Sequence, residues 1–134
     1  MSETNATLAT WAPRVRSVLR IMTGLLFLQH GTMKYFNFPP SEMFAGGELP
    51  PLMWVAGGIE FFGGILFIIG LLTRPVAFIC SGFTAAAYFM AHAERSFYPA
   101  LNEGELAVLY CFVFLYFVFA GPSPWSVDGA RGKA

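Results

Sequence analysis

One carboxylate stands inside the most apolar stretch of this chain. Residues 54–72 read WVAGGIEFFGGILFIIGLL, and Glu60 is their only charge. As a helix these ~19 residues rise ~28 Å, close to the hydrocarbon thickness of a bilayer. A charge at that depth costs on the order of 3 kcal/mol or more, so Glu60 is expected to be neutralised, paired or held in a wet cavity. Ala56, Gly57, Gly63, Gly64 and Phe67 share its helical face. The face is short of bulk, so a neighbouring helix can come close and Glu60 points inward, away from lipid.

Other polar groups gather near the ends of apolar runs. Gln29, His30 and Lys34 lie late in the first run, where Thr23, Phe27, His30 and Lys34 form one helical stripe. His92 ends a third run and Glu105 begins a fourth. Carboxylate, imidazole and ammonium are the groups that proton transfer uses. Each also has a structural use. Lys34 can extend to headgroups on its apolar stem, His30 can hydrogen-bond a neighbouring helix, and His92 and Glu105 can be solvated at an interface. Intramembrane carboxylates are functional by default. Glu60, His30 and Lys34 therefore form the expected catalytic group, with Gln29, His92 and Glu105 as its expected ligand-binding surround.

Four spans would carry these residues, at about 18–35, 53–72, 76–92 and 105–120. The fold class is then all-α, an integral membrane four-helix bundle over residues 14–124, between a loose polar tail (1–13) and an exposed tail (125–134). Pro39, Pro40, Gly46, Gly47, Pro50 and Pro51 make residues 36–52 a loop, with a short turn around Ser41–Phe44. Leu72-Thr73-Arg74-Pro75 makes a tight turn, so spans two and three form a hairpin. A basic start before an apolar core also fits a secretory signal, but this run is long and no small-x-small site follows it.

Charge orients the bundle. Arg14, Arg16, Arg20, Arg74, Arg131 and Lys133 fall on one side of such a membrane, and the other side holds Lys34, Arg95 and most acids. The excess of basic residues puts both termini in the cytoplasm. Trp11 and Trp125 then mark the inner interface, with Trp54 and Tyr98 at the outer one. The polar residues meet in the outer half, as an outward-open pocket and not a channel.

Composition agrees with a membrane class. Of 134 residues 56% are apolar and only 12% charged, with net charge zero, which gives no basis for binding nucleic acid. No GxGxxG, P-loop, HExxH or GxSxG occurs. Cys80 and Cys111 have no CxxC spacing, and their placement in the spans puts them at different depths, too far apart for a disulfide. His30 and His92 also sit at different depths, which does not suit opposed haem ligation, so neither haem nor metal is expected.

At these residues the sequence resembles the DoxX family of small four-helix bacterial membrane proteins. The resemblance lies in HGxxK at His30, Gly31 and Lys34, followed by Tyr35 and Phe36. A second motif, E-x-x-G-G-x-x-x-x-x-G-L-x-T-R, spans Glu60, Gly63, Gly64, Gly70, Leu71, Thr73 and Arg74. The third is Gly121-Pro122 before Ser126 and Asp128, with Ser123 where the family usually has a second glycine. It covers about residues 14–128. The resemblance implies a multi-pass protein of the bacterial plasma membrane, a subunit or accessory of a quinone-linked redox system for sulfur or thiol oxidation or for oxidative stress. A membrane quinone would be its cofactor, and a redox protein or further copies of the chain its partners. The rival reading is a non-enzymatic carrier of small molecules or protons, or a membrane assembly partner for another protein.

Overall fold

The computed structural model describes residues 2–133, which form six α-helices, one 3-10 turn at Glu42–Phe44 where the short turn was expected, and no strand. The α-helices are α1 (Glu3–Phe36), α2 (Pro51–Ile69), α3 (Thr73–Ala91), α4 (Pro99–Asn102), α5 (Glu105–Ala120) and α6 (Val127–Ala130). Met1 and Ala134, the outermost residues of the two expected tails, lie outside the described residues.

The N-terminal segment is not a loose tail, because α1 already begins at Glu3. The Ser2 side chain accepts from the Asn5 N–H and caps the helix, with Glu3 in the first turn. Ala6, Leu8 and Ala9 are strong helix formers. Pro13 inside the helix removes one hydrogen bond without ending it. The 34 residues of α1 rise ~51 Å, longer than a bilayer is thick.

Glycine decides how α1 meets α2. A Cβ on Gly31 would lie 2.6 Å from the Phe61 nitrogen, and one on Gly64 would lie 2.9 Å from Leu28 Cα. Backbone meets backbone, so neither neighbour can yield. The buried positions of α1, including Arg20, Gly24, Phe27 and Gly31, recur every three or four residues and form one seam. Gly57, Glu60, Gly64 and Phe67 do the same on α2.

α3 packs along α5, and the Ser81 hydroxyl donates to the Cys111 carbonyl at 2.8 Å. That bond places Cys80 and Cys111 at nearly the same level, contrary to the depths read from the sequence, because α3 starts at Thr73 and α5 leans on its middle. Both thiols are free. Phe27, Phe67, Cys80, Tyr110, Phe114 and Phe117 bring all four long helices into one core, with edge-to-face ring pairs such as Phe27–Phe114 at 4.9 Å.

Opposite the loop 36–52, the chain ties a polar knot. The C-terminal segment does not hang free, since Ser126 and Asp128 are buried. Asp128 carboxylate oxygens accept from the Leu72 and Thr73 amides at 3.1 and 2.8 Å, at the N-terminus of α3. Burial pushes the Asp128 carboxyl up, but these amides and the Lys133 ammonium outweigh it and hold the group below its ordinary range. Arg20 is fully buried. It donates to the last carbonyls of α2, Phe67 and Ile68, and to the Ser123 hydroxyl and Trp125 carbonyl. Arg74 donates to Val118 and Phe119 at the end of α5. Two arginines expected as flanking charges are therefore helix caps.

Among the described residues, α2 is the one helix both long and apolar enough to cross a membrane. α5 is apolar but has 16 residues, ~24 Å. α1 and α3 are long enough but diluted by glycine, threonine, serine and charge. Large apolar side chains nevertheless face outward on all four, including Leu25, Phe62, Phe78 and Phe112.

Candidate functional site

The close approach of α1 and α2 sets the site. Gly31 lies against Phe61 and Gly57, so Lys34, nearly one turn further along α1, stands beside Glu60. Lys34 Nζ is 2.7 Å from Glu60 Oε2, with 11% and 10% of the two side chains exposed. Lys34 also reaches the His30 carbonyl at 3.5 Å and lies 5.5 Å from the centre of the Phe44 ring. Glu60 thus has a cationic partner at a depth where an unpaired charge would be costly.

The pair borders a cavity of about 290 Å³ among α1, α2, α3 and α5. Phe27 and Phe83 line its apolar part, and His92 and Glu103 come from the segment between α3 and α5. His30 and Tyr110 face one another across the wall, ring centres 6.2 Å apart and nearly perpendicular. His30 Nε2 and the Tyr110 hydroxyl are buried with no hydrogen-bond partner. Buried polar atoms are seldom left unpaired, because each costs about 1–3 kcal/mol. Only four such side-chain atoms occur among the described residues, and two of them belong to residues that line this one cavity. The Thr84 hydroxyl is satisfied by the Cys80 carbonyl at 2.9 Å. An occupant offering an acceptor to the tyrosine and a complementary group to the histidine would satisfy both orphans.

The expected surround divides. His92 lines the cavity, its Nδ1–H donating to the Asn102 carbonyl at 3.0 Å. Gln29 does not line it, because it lies about 100° around α1 from His30 and faces outward. Glu105 also faces outward, in the first turn of α5, and Glu103 takes the place expected for it. Glu103 pairs with Arg95 at 2.9 Å.

Two residues of consequence were missed. Tyr110 is part of the buried stripe Tyr110–Phe114–Phe117, and being its single ring with a hydroxyl was the available signal. Asn102 is fully buried and organises the α3–α5 connection, donating to Tyr88 and Ser96 at 3.0 Å and accepting from Gly104 at 2.8 Å. Nothing local marks it. No three His, Cys, Asp or Glu side chains gather as a metal site needs among the described residues.

Comparison with known proteins gives a consistent set. The family model described as DoxX matches residues 15–93. An uncharacterized protein of Haemophilus influenzae is 43% identical over 90% of this chain and 93% of its own length. "Putative oxidoreductase CatD" of Bacillus subtilis is 38% identical over 68% of this chain and 75% of its own. "Inner membrane protein YqjF" of Escherichia coli is 26% identical, covering 87% and 91%. No solved structure matches significantly.

Proposed function

This chain belongs to the DoxX family of membrane proteins, and from that premise we propose that it serves a quinone-linked redox system in the bacterial inner membrane. It does so as a four-span bundle with both termini in the cytoplasm. The outward apolar side chains on α1, α2, α3 and α5 support four spans, since water would not tolerate such a surface. Arg14, Arg16, Arg131 and Lys133 at the knot end favour the cytoplasm for that end. The cavity then opens outward.

The observation that carries the redox reading is the pairing of two orphaned polar atoms with a buried ion pair in one partly apolar cavity. A quinone ring is flat and apolar with two carbonyl acceptors. It fits that lining, since the Tyr110 hydroxyl and a protonated His30 Nε2 would each donate to a carbonyl. When bound, the quinone accepts two electrons and two protons. The electrons come from a partner redox protein that oxidises a sulfur compound or thiol. The chain's own residues hold the ring, and Glu60, kept in place by Lys34, carries protons between the mouth near His92 and the cavity. Phe27 and Phe83 line the rest of the cavity with apolar surface.

The test is purification in mild detergent, followed by extraction and assay of quinone. Wild-type protein should retain quinone; Tyr110→Phe should retain several-fold less while losing no stability, because it removes an unsatisfied hydroxyl. Recovery of no quinone, with a soluble protein co-purifying, would favour the assembly-partner reading. The carrier reading has a specific difficulty. The buried knot around Arg20 occupies the end opposite the cavity, where its hydrogen bonds tie α1, α2 and the C-terminal segment together.

A further inference from the structure

Burial divides α1 lengthwise. Arg20, Gly24 and Phe27 face the bundle, and on the far side Leu8, Trp11, Val15, Val18, Met22 and Leu25 are 46–62% exposed. These six follow one another at alternating steps of three and four residues, and Gln29, which does not reach the cavity, continues the series. The pattern is a heptad seam, with Leu8, Val15, Met22 and Gln29 at one set of core positions and Trp11, Val18 and Leu25 at the other.

Lipid suits the middle of this face but neither of its ends. Tyr35 donates to the Trp54 carbonyl at 2.6 Å and so shares the level of the outer interface. Hydrocarbon ~30 Å thick then reaches back along α1 by about 20 residues, to Val15. Leu8 stands ~10 Å beyond that edge, where water and headgroups meet its exposed side chain. Gln29 stands ~9 Å inside the opposite edge, farther than its side chain reaches. It makes no side-chain hydrogen bond among the described residues; its carbonyl accepts from the Thr32 hydroxyl. An amide facing hydrocarbon without a partner is costly.

We propose that this face is the seam of a homodimer, in which two copies pack α1 against α1 in parallel about a two-fold axis normal to the bilayer and the two Gln29 amides hydrogen-bond one another. The inference rests on the four-span reading of the chain and is independent of the quinone. Copies inserted in one orientation run parallel, so each seam residue meets its own equivalent. A glutamine amide carries both donor and acceptor and is complementary to itself, whereas a foreign helix would need a matching polar group at that depth. A polar side chain at one core position also fixes the register. The seam holds no charge. Arg14 lies beside it, stacked over its own Trp11 ring at 5.0 Å, and in a parallel pair the two Arg14 residues fall on opposite flanks. Six half-exposed side chains, with Leu19 and Leu26 beside them, offer on the order of 700 Å² per copy, and two copies reach the ~1,200–2,000 Å² of stable interfaces.

The test places single cysteines on α1 of the full chain, in a Cys111→Ser background whose remaining thiol, Cys80, is buried, and oxidises them in isolated membranes. Val15→Cys, Val18→Cys, Met22→Cys and Leu25→Cys should each give a disulfide-linked product of twice the chain mass. Its yield should be several-fold above that of Phe62→Cys on α2 and Phe112→Cys on α5, which are exposed elsewhere on the bundle. In lipid vesicles Gln29→Leu should lower the dimerisation constant by about three- to twentyfold, and Gln29→Asn should restore most of it. An unchanged constant in Gln29→Leu overturns the amide pairing. Cross-linking no greater than at Phe62 and Phe112, cross-linking confined to Leu8→Cys and Trp11→Cys, or a product of another mass overturns the homodimer. A membrane-impermeant thiol reagent separates the two premises. If it labels Leu25→Cys without oxidant, α1 does not lie in hydrocarbon, and the four-span reading falls together with the inference. If Leu25→Cys is shielded and no dimer forms, the inference alone is overturned.

Discussion

Replacing Lys34 with Met leaves the Glu60 carboxylate about nine-tenths buried with no cation against it. Breaking a buried pair from one side typically costs about 3–5 kcal/mol. Here the cavity keeps a tenth of each side chain exposed, so a value at or just below the bottom of that range applies, about 2–3 kcal/mol for Lys34→Met. Glu60→Gln keeps the shape and an acceptor for Lys34, and should cost roughly 1–2 kcal/mol. The double variant removes both charges and should lie close to Glu60→Gln alone. The coupling energy is then about 2–3 kcal/mol, or roughly thirty- to 150-fold in the unfolding equilibrium. Cys80, 1% exposed, supplies the assay. In a Cys111→Ser background its thiol reacts only when the core opens, so labelling against denaturant reports stability in detergent. Additive single effects, within ~0.5 kcal/mol, would show that the 2.7 Å contact carries no coupling and that the carboxylate is solvated.

Gly31→Ala should destabilise by about 1–3 kcal/mol in the same assay, because its Cβ would meet backbone at 2.6 Å. Gly82→Ala, with nothing within 4 Å of its Cβ, should stabilise by roughly 0.5–1 kcal/mol. Asp128 has a lowered folded pKa, so its contribution is complete above the unfolded value of about 3.9 and is lost as pH falls through the folded one. Asp128→Asn should cost roughly 1–3 kcal/mol at neutral pH and flatten stability below pH ~4; an unchanged acid profile would show that the carboxylate does not hold the knot. A reporter fused to the C-terminus should be active in the cytoplasm and one inserted near Gly46 outside; the reverse pattern would sink the outward-open cavity.

The helices were legible where apolar periodicity was long and punctuated. Residues 53–72 became Pro51–Ile69 and residues 105–120 became Glu105–Ala120 because proline or glycine marks their ends. The first helix was cut short in the sequence reading because polarity was taken for disorder, whereas a serine cap and alanines sufficed for helix. In the site, Glu60, His30 and Lys34 could be brought together from depth alone. Gln29 could not be rejected that way, since depth does not give the angle around a helix. Glu103 and Glu105 differ by two residues across a helix start whose position decides which one borders the cavity. Arg20 and Arg74 were misread because an arginine at a span's end can serve either the water or a helix terminus, and only the packing of the C-terminal segment decides.

The cradle around Arg20 also sets an order of events in the cell. Its acceptors at Ser123 and Trp125 lie 103 and 105 residues further along the chain. While the ribosome is still extending α5, α1 already carries a guanidinium whose final partners have not been made. Until then Arg20 must be served by water, headgroups or the carbonyls of α2. Assembly is therefore completed by the segment from Ser123 to Asp128, which closes on the first helix and on the N-terminus of α3 together. A product stopped before Ser123 would hold every helix through α5 yet leave this charge half-met, a defect that membrane proteases could recognise. Premature termination just before Ser123 should thus be nearly as damaging to protein levels as termination within a helix.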